Sequence, residues 1–304
     1  MAFYLITGGA GFIGSNLCEE LLKRGNKVRI IDDFSTGKEE NIQDFLSDID
    51  VVRGDIRDIE TVRTALKGVD YVSHQAAISS VPLSIKDPVL NNQVNIDGAL
   101  NVLVAARDEG VKRVVLASSA AVYGNSEVLP KVETMVPEPI SPYAVSKHVG
   151  EQYAKLFYEL YGLETVCLRY FNVFGPKQDP SSQYSGVISK FMDAVAKGEA
   201  PVIYGDGEQS RDFVYVDNVV EANILASVSE RVGHGEVLNI ASGKRITLNE
   251  LVKVVGDVEA VYAEERVGDV RHSLADIGLA REMLGYEVSG EFEDGLRMIR
   301  KIKS

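Results

Sequence analysis

Gly8-Gly9-Ala10-Gly11-Phe12-Ile13-Gly14 decides the reading of this chain. The stretch follows a short apolar run, Ala2 to Ile6, and opens an amphipathic segment, Phe12 to Arg24. Strand, glycine turn and helix in that order turn a glycine pattern into a dinucleotide site. One glycine makes the tight turn, the next lets backbone approach a pyrophosphate, and the last lets helix pack on strand. The helix N-terminus then offers unpaired N–H groups and partial positive charge to the phosphates. Gly8, Gly11, Phe12, Ile13 and Gly14 are the expected cofactor-binding residues of this loop. A plain tight turn is the alternative, and the flanking strand and helix argue against it.

Outward from the loop, Lys27 to Ile31 is apolar and β-branched and ends in Asp32-Asp33. An acid ending the second strand, about 20 residues past the glycines, hydrogen-bonds a ribose 2′-hydroxyl. A carboxylate there repels a 2′-phosphate, so Asp32 favours NAD over NADP. Asp55-Ile56 follows Val51-Val52, where a third strand ends. It is a candidate for the adenine edge, with an exposed loop Asp as the alternative.

Strand-like runs recur at 2–7, 27–31, 50–53, 70–74, 113–118 and 163–170, with helical periodicity at 12–24, 59–67, 87–109 and 142–161. This alternation predicts an α/β fold, a doubly wound parallel sheet of Rossmann type. After Asn172 the texture changes to Gly, Pro, Ser and Asp clusters with shorter elements. The expected organisation is a dinucleotide-binding domain over 1–171. A smaller substrate-binding lobe over 172–304 follows, with the chain free to cross between them more than once. Ligands in such folds sit beyond the carboxyl ends of the strands.

The 304 residues allow one large domain or two modest ones, and a hydrophobic content of 45% supports a full core. A net charge of −13 argues against a broad nucleic-acid or anionic-membrane surface. No window reaches transmembrane length, and no signal peptide is evident, so a cytoplasmic location is expected. Cys18 and Cys167 lack metal-ligand spacing and read as buried reduced thiols; no metal is expected.

Tyr143-Ala144-Val145-Ser146-Lys147 carries the chemistry. On a helix, positions i and i+4 share a face, so phenol and ammonium point into the same space. Ser141-Pro142 starts that helix well. The fifth strand ends in Ala117-Ser118-Ser119, so a hydroxyl emerges at its carboxyl end. Ser119, Tyr143 and Lys147 beside a nicotinamide make a proton-relay set. The Lys147 charge and the oxidised ring are both expected to lower the phenol pKa toward working pH. A surface Tyr–Lys pair and a loop serine are the alternative. His74, at a strand end, reads as a packed or hydrogen-bonded core histidine.

Together, Gly8–Gly14, Asp32, Ser119 and Tyr143-x-x-x-Lys147 resemble the extended short-chain dehydrogenase/reductases, over essentially the whole chain. Within that group the chain is most similar to the UDP-sugar 4-epimerases, including those acting on UDP-N-acetylglucosamine. His74–Pro82, Arg169–Pro176, Gly205–Phe213 and Gly268–Ser273 carry this narrower likeness.

The resemblance implies roles at matching positions. Tyr143 is the base for the sugar 4-hydroxyl, Lys147 holds the nicotinamide ribose and Ser119 binds the 4-oxygen. Asn95 and the Ala76-Ala77 turn line the cofactor, NAD. Asn172 meets the substrate diphosphate, Arg211 and Arg266 clamp it, Asp269 meets the uridine ribose and Tyr204 lies against uracil. Arg suits bidentate phosphate geometry; a surface Arg–Asp pair is the alternative. Ser80 and Ser273 face the sugar. Ser273 stands where family members limit room beside C2, and a small residue there implies tolerance of an acetamido group. Relatives that dehydrate or decarboxylate place an acid after the strand-five hydroxyl; Ala120 and Ala121 stand there instead. Reversible hydride transfer at C4 is the chemistry left, with a UDP-sugar as partner. The expected reaction interconverts UDP-glucose and UDP-galactose through a 4-keto intermediate. A UDP-uronic acid epimerase or reductase and a catalytically silent NAD-binding regulatory protein are the rivals. The segment from Leu251 to Arg266 is shorter than in most relatives. Helices near 87–109 and 142–161 carry apolar residues beyond one core-facing stripe, and the family pairs them, so a homodimer is expected.

Overall fold

The computed structural model describes residues 1–179, 186–256, 258–265, 271–290 and 292–303, with side chains as far as Arg297. Six strands coincide with the apolar runs: β1 (Phe3–Thr7), β2 (Lys27–Asp32), β3 (Asp50–Arg53), β4 (Tyr71–His74), β5 (Arg113–Ser119) and β6 (Glu164–Tyr170). Beyond them come β7 (Asn172–Phe174), β8 (Val202–Tyr204), β9 (Ser210–Arg211), β10 (Phe213–Tyr215), β11 (His234–Ile240), β12 (Ile246–Thr247) and β13 (Val261–Ala263). One seven-stranded sheet has the order β11-β6-β5-β4-β1-β2-β3, parallel throughout. The helices are α1 (Phe12–Lys23), α2 (Ile59–Leu66), α3 (Val81–Lys86), α4 (Pro88–Asn92), α5 (Gly98–Asp108) and α6 (Pro142–Tyr161). They continue with α7 (Val187–Ala196), α8 (Val216–Val228), α9 (Leu248–Val255), α10 (Gly278–Leu284) and α11 (Phe292–Lys303). The architecture is the doubly wound, Rossmann-type α/β fold that the alternation predicts.

Successive strand residues face opposite sides, so a sheet covered on both faces needs near-continuous apolar strands. Tyr4, Ile6, Val28 and Ile30 pack against Leu17 and Leu21 of α1 and Val216 and Val220 of α8. On the other face Leu5, Ile31, Val114 and Cys167 meet Leu66 of α2, Val102 of α5 and Phe157 of α6. Cys18 and Cys167 are buried and free. Among the described residues no helix is long and apolar enough to cross a membrane.

Two elements depart from the sequence reading. The helix expected over 87–109 arrives in pieces: α4, a π-helical turn at Gln93–Asp97, then α5. Ahead of it, the short α3 is capped by Ser80 and begins with Pro82 in its first turn. The seventh strand, β11, was not among the strand-like runs. Only Val237, Leu238 and Ile240 of its residues are apolar, which leaves a weak pattern.

α8 and β11 bring the chain back to the main sheet after Asn172. The remaining short strands pair as β7 with β10, β8 with β13 and β9 with β12. A separate core of Phe174, Ile188, Phe191, Phe213, Leu251 and Leu296 sits beneath them. This smaller layer lies past the carboxyl ends of β5 and β6, since β7 starts two residues after β6 ends.

Candidate active site

The glycine loop leaves no room for side chains. Gly8 has φ +69°, and a Cβ there would lie 2.8 Å from the Ala76 nitrogen. A Cβ on Gly14 would lie 2.2 Å from the Gly8 carbonyl oxygen. Such contacts are sterically forbidden, so both positions require glycine and α1 starts hard against the end of β1. Gly11 is the N-cap of α1 and supplies no side-chain cap, which leaves the first-turn N–H groups facing outward from the loop. A bare helix N-terminus behind a glycine turn fits a dinucleotide diphosphate.

Asp32 ends β2 beside this loop and is 7% exposed. One carboxylate oxygen accepts the Ala10 N–H at 2.9 Å, and the other accepts the Phe34 N–H at 2.8 Å. Burial raises its pKa and these two bonds oppose the rise. Each oxygen keeps a lone pair for a further donor. Asp55 is an ion-pair partner, not a free loop acid: Arg57 donates to it from its backbone N–H and Nε at 2.8 Å and also from Nη2. That hydrogen bonding holds its carboxyl below the usual range. Ile56 is buried against Gly98.

Ala76 follows β4 and abuts Gly8, with its N–H donating to Thr7 Oγ1 at 3.1 Å. Thr7 Oγ1 also bonds His74 Nδ1 at 2.8 Å. His74 is a hydrogen-bonded core histidine, as the sequence suggests; burial, helped by the Lys147 charge, pushes it down to about 3. Asn95 sits in the π-helical turn, a common device at functional sites. It accepts the Ile78 N–H at 2.8 Å and donates to Ile78 O at 3.0 Å and Ser146 Oγ at 3.1 Å. The Ala76–Ile78 loop is thereby fastened to α6.

Tyr143 and Lys147 stand in the first turns of α6, behind the Ser141 cap, whose oxygen accepts the Ala144 N–H at 3.2 Å. Lys147 Nζ donates to Ala117 O at 2.9 Å and lies 5.9 Å from the Tyr143 ring centroid. Burial lowers Lys147 to about 8, opposed by the Glu151 charge. Ser119 ends β5, accepts the Ala121 N–H at 3.1 Å and lies beside the phenol. The three expected catalytic groups therefore meet at one point. Burial raises the Tyr143 phenol, and the Ser119 hydrogen bond opposes the rise. The Lys147 ammonium is turned to the Ala117 carbonyl.

A cavity of about 460 Å³ lies in the smaller layer, and Asn172, Tyr204 and Arg211 all line it. Asn172 is fastened there by its Nδ2, which donates to Asp212 O at 3.0 Å. Arg211 Nη1 reaches Ser210 O at 3.0 Å and Arg271 O at 3.1 Å. Ser273 sits next to this strand, its N–H donating to Ser210 O at 3.0 Å. Ser80 lies apart from the cavity at the start of α3, where its oxygen accepts the Leu83 N–H at 3.0 Å. Arg266 and Asp269 lie outside the described residues. Sequence reasoning missed Glu151 and Arg169, a buried ion pair behind the catalytic groups. The spacing Tyr143, Lys147, Glu151, four residues each time, is the signal that could have found the first.

A Ser–Tyr–Lys cluster at the carboxyl edge of a doubly wound sheet, beside a glycine cradle, defines a member of the extended short-chain dehydrogenase/reductases. Comparison with known proteins narrows this. The model of the NAD dependent epimerase/dehydratase family matches residues 4–241. A putative UDP-glucose 4-epimerase of Methanocaldococcus jannaschii is 39% identical, over 97% of this chain and 96% of its own. The UDP-N-acetylglucosamine 4-epimerase from Methanobrevibacter ruminantium, solved in complex with UDP-N-acetylmuramic acid, has a TM-score of 0.94 and 43% identity, covering 99% of this chain and 97% of that one. The Thermus thermophilus UDP-glucose 4-epimerase, solved with NAD, has a TM-score of 0.89 and 38% identity, covering 98% of each chain. The chain belongs to the NAD dependent epimerase/dehydratase family, and NAD is its cofactor.

Proposed function

We propose that the protein is a UDP-hexose 4-epimerase. It interconverts UDP-glucose and UDP-galactose through a 4-keto sugar and also accepts the N-acetylated pair. One observation carries the reading: residues from three separate segments, Asn172, Tyr204 and Arg211, line one cavity. Ser119 is in register with Tyr170, and Asn172 follows two residues later. A diphosphate held by Asn172 and Arg211, with uracil toward Tyr204, would point its sugar back at Ser119 and Tyr143. We assign 1–171 to cofactor binding and most of 172–304 to the substrate.

When bound, NAD supplies a reversible hydride acceptor for the sugar C4. Gly8, Gly11, Phe12, Ile13 and Gly14 hold its diphosphate, Asp32 a ribose, and Asp55, Ile56, Ala76, Ala77 and Asn95 the remaining wall. Tyr143 takes the proton of the 4-hydroxyl and later returns it. Ser119 binds the 4-oxygen in both directions. Lys147 orients the ribose. Ala120 and Ala121 offer no acid, so C5 keeps its proton and the keto sugar has no route but reduction.

Ser273 stands beside the Arg211 strand with a short side chain, which supports the wider substrate range. Incubation with UDP-galactose and UDP-N-acetylgalactosamine, followed by product separation, tests it. Both should convert in the wild type, and Ser273→Tyr should lose the N-acetylated substrate alone. A wild type confined to plain hexoses, or an unchanged ratio in Ser273→Tyr, removes position 273 as the gate. We further propose a homodimer through α4 and α6, where Val89, Leu156 and Leu160 are exposed. Sedimentation as a monomer at micromolar concentration would refute it.

A further inference from the structure

Behind the catalytic groups, α6 is stitched to the sheet by a ladder of polar contacts. Tyr143 meets Ser119, Lys147 Nζ donates to Ala117 O at 2.9 Å, and Glu151 accepts the Ser118 hydroxyl at 2.6 Å. The three α6 residues are four apart and share a helix face; the three β5 residues are consecutive. Arg169 of β6 extends the ladder. It is the register partner of Ser118 and forks onto Glu151, from Nε to Oε1 at 2.8 Å and from Nη2 to Oε2 at 2.8 Å. The Glu151 and Arg169 side chains are 2% and 4% exposed. The guanidinium lies 4.7 Å from the Tyr123 ring centroid, and the Tyr123 hydroxyl donates to Asn239 of β11 at 2.7 Å.

A buried ion pair is poor evidence for stability, because desolvation consumes most of the attraction and apolar residues of like volume do as well or better. This pair is not fully satisfied either: among the described residues Arg169 Nη1 has no hydrogen-bond partner. What the pair does supply is a fixed distance. The Ser118–Glu151 bond is charge-assisted and short, and it closes on the residue adjacent to Ser119. We propose that Glu151 and Arg169 are positioning residues that lock the end of β5 against α6, so that the Ser119 hydroxyl stays on the Tyr143 phenol. Both side chains are buried, and neither lines the cavity. The proposal rests on the assignment of Ser119 and Tyr143 as the reacting pair.

Three variants test it in the NAD-loaded protein. Ser118→Ala removes the stitch without changing charge, Glu151→Gln removes the carboxylate, and Glu151→Leu with Arg169→Met replaces the pair by apolar groups. Each should lower kcat about 10-fold or more with KM for the UDP-sugar within about twofold. The double variant should keep or raise Tm. A second readout needs no substrate: ultraviolet titration of the phenol, taken as the difference from Tyr143→Phe. In Ser118→Ala the phenol midpoint should rise, because the Ser119 bond that favours phenolate loosens. Wild-type kcat and an unmoved phenol midpoint in Ser118→Ala overturn the proposal. So does a loss of kcat that only follows a loss of folded protein. If the wild type converts no UDP-sugar, the 4-epimerase reading fails separately, and the phenol titration still decides the positioning claim.

Discussion

Tyr143, the proposed base, is buried where the phenol is raised, so its deprotonation depends on what faces it. Tyr143→Phe removes the proposed base and leaves the ring in place. Turnover should fall roughly 100- to 10,000-fold, with NAD content and UDP affinity kept; near-normal turnover would move the role to Ser119. Lys147, lowered to about 8, is mostly charged at neutral pH and loses its charge as pH rises through that value. Arg211 is the proposed contact at the other end of the substrate. Arg211→Ala removes a charge-assisted contact of about 1.5–3 kcal/mol, so UDP affinity measured by calorimetry should drop at least about 10-fold while NAD binding holds. Unchanged UDP affinity would put the diphosphate elsewhere.

At the scale of elements, the glycine turn and the start of α1 act as one unit. In Gly14→Ala the methyl would have to share space with the Gly8 carbonyl, so the turn must open. NAD co-purifying with the protein should then fall several-fold, as read by nucleotide assay after denaturation. A full complement of NAD in that variant would contradict the cradle. The same elements show what a sequence makes legible. β1, β2, β4, β5 and β6 are readable because strands covered on both faces must be apolar, the edge strand β3 because Val51-Val52 precede an acidic turn, and the glycine turn because sterics admit no other residue. The π-helical turn at Gln93–Asp97 is not readable, since one extra residue per turn barely disturbs the apolar spacing across 87–109. Nor is β11, which carries Glu236 and Asn239 within a buried sheet. At the site, Tyr143, Lys147 and Ser119 belong to a spaced motif and come together as expected. Glu151 and Arg169 escape notice because isolated charged residues read as solvent-facing, and only the fold pairs them.

For the whole molecule, His74 couples stability to pH. It is neutral in the folded protein, pushed down to about 3, whereas the unfolded chain binds a proton there at about 6.5. Its contribution is therefore complete above pH 6.5 and is lost as pH falls through the window toward 3. One proton over the step from pH 6.5 to 5 amounts to about 2 kcal/mol. Urea midpoints in His74→Gln should decline less over that step than in the wild type, and equal slopes would show that His74 is not the group involved.

The molecule's proposed work is inversion at one carbon with the cofactor returned to its starting state. UDP-galactose carrying deuterium at C4, incubated with the purified protein and no added nucleotide, tests this most directly. The account predicts UDP-glucose with the deuterium still on C4. No conversion, or a product whose C4 label has been lost to water, would contradict it.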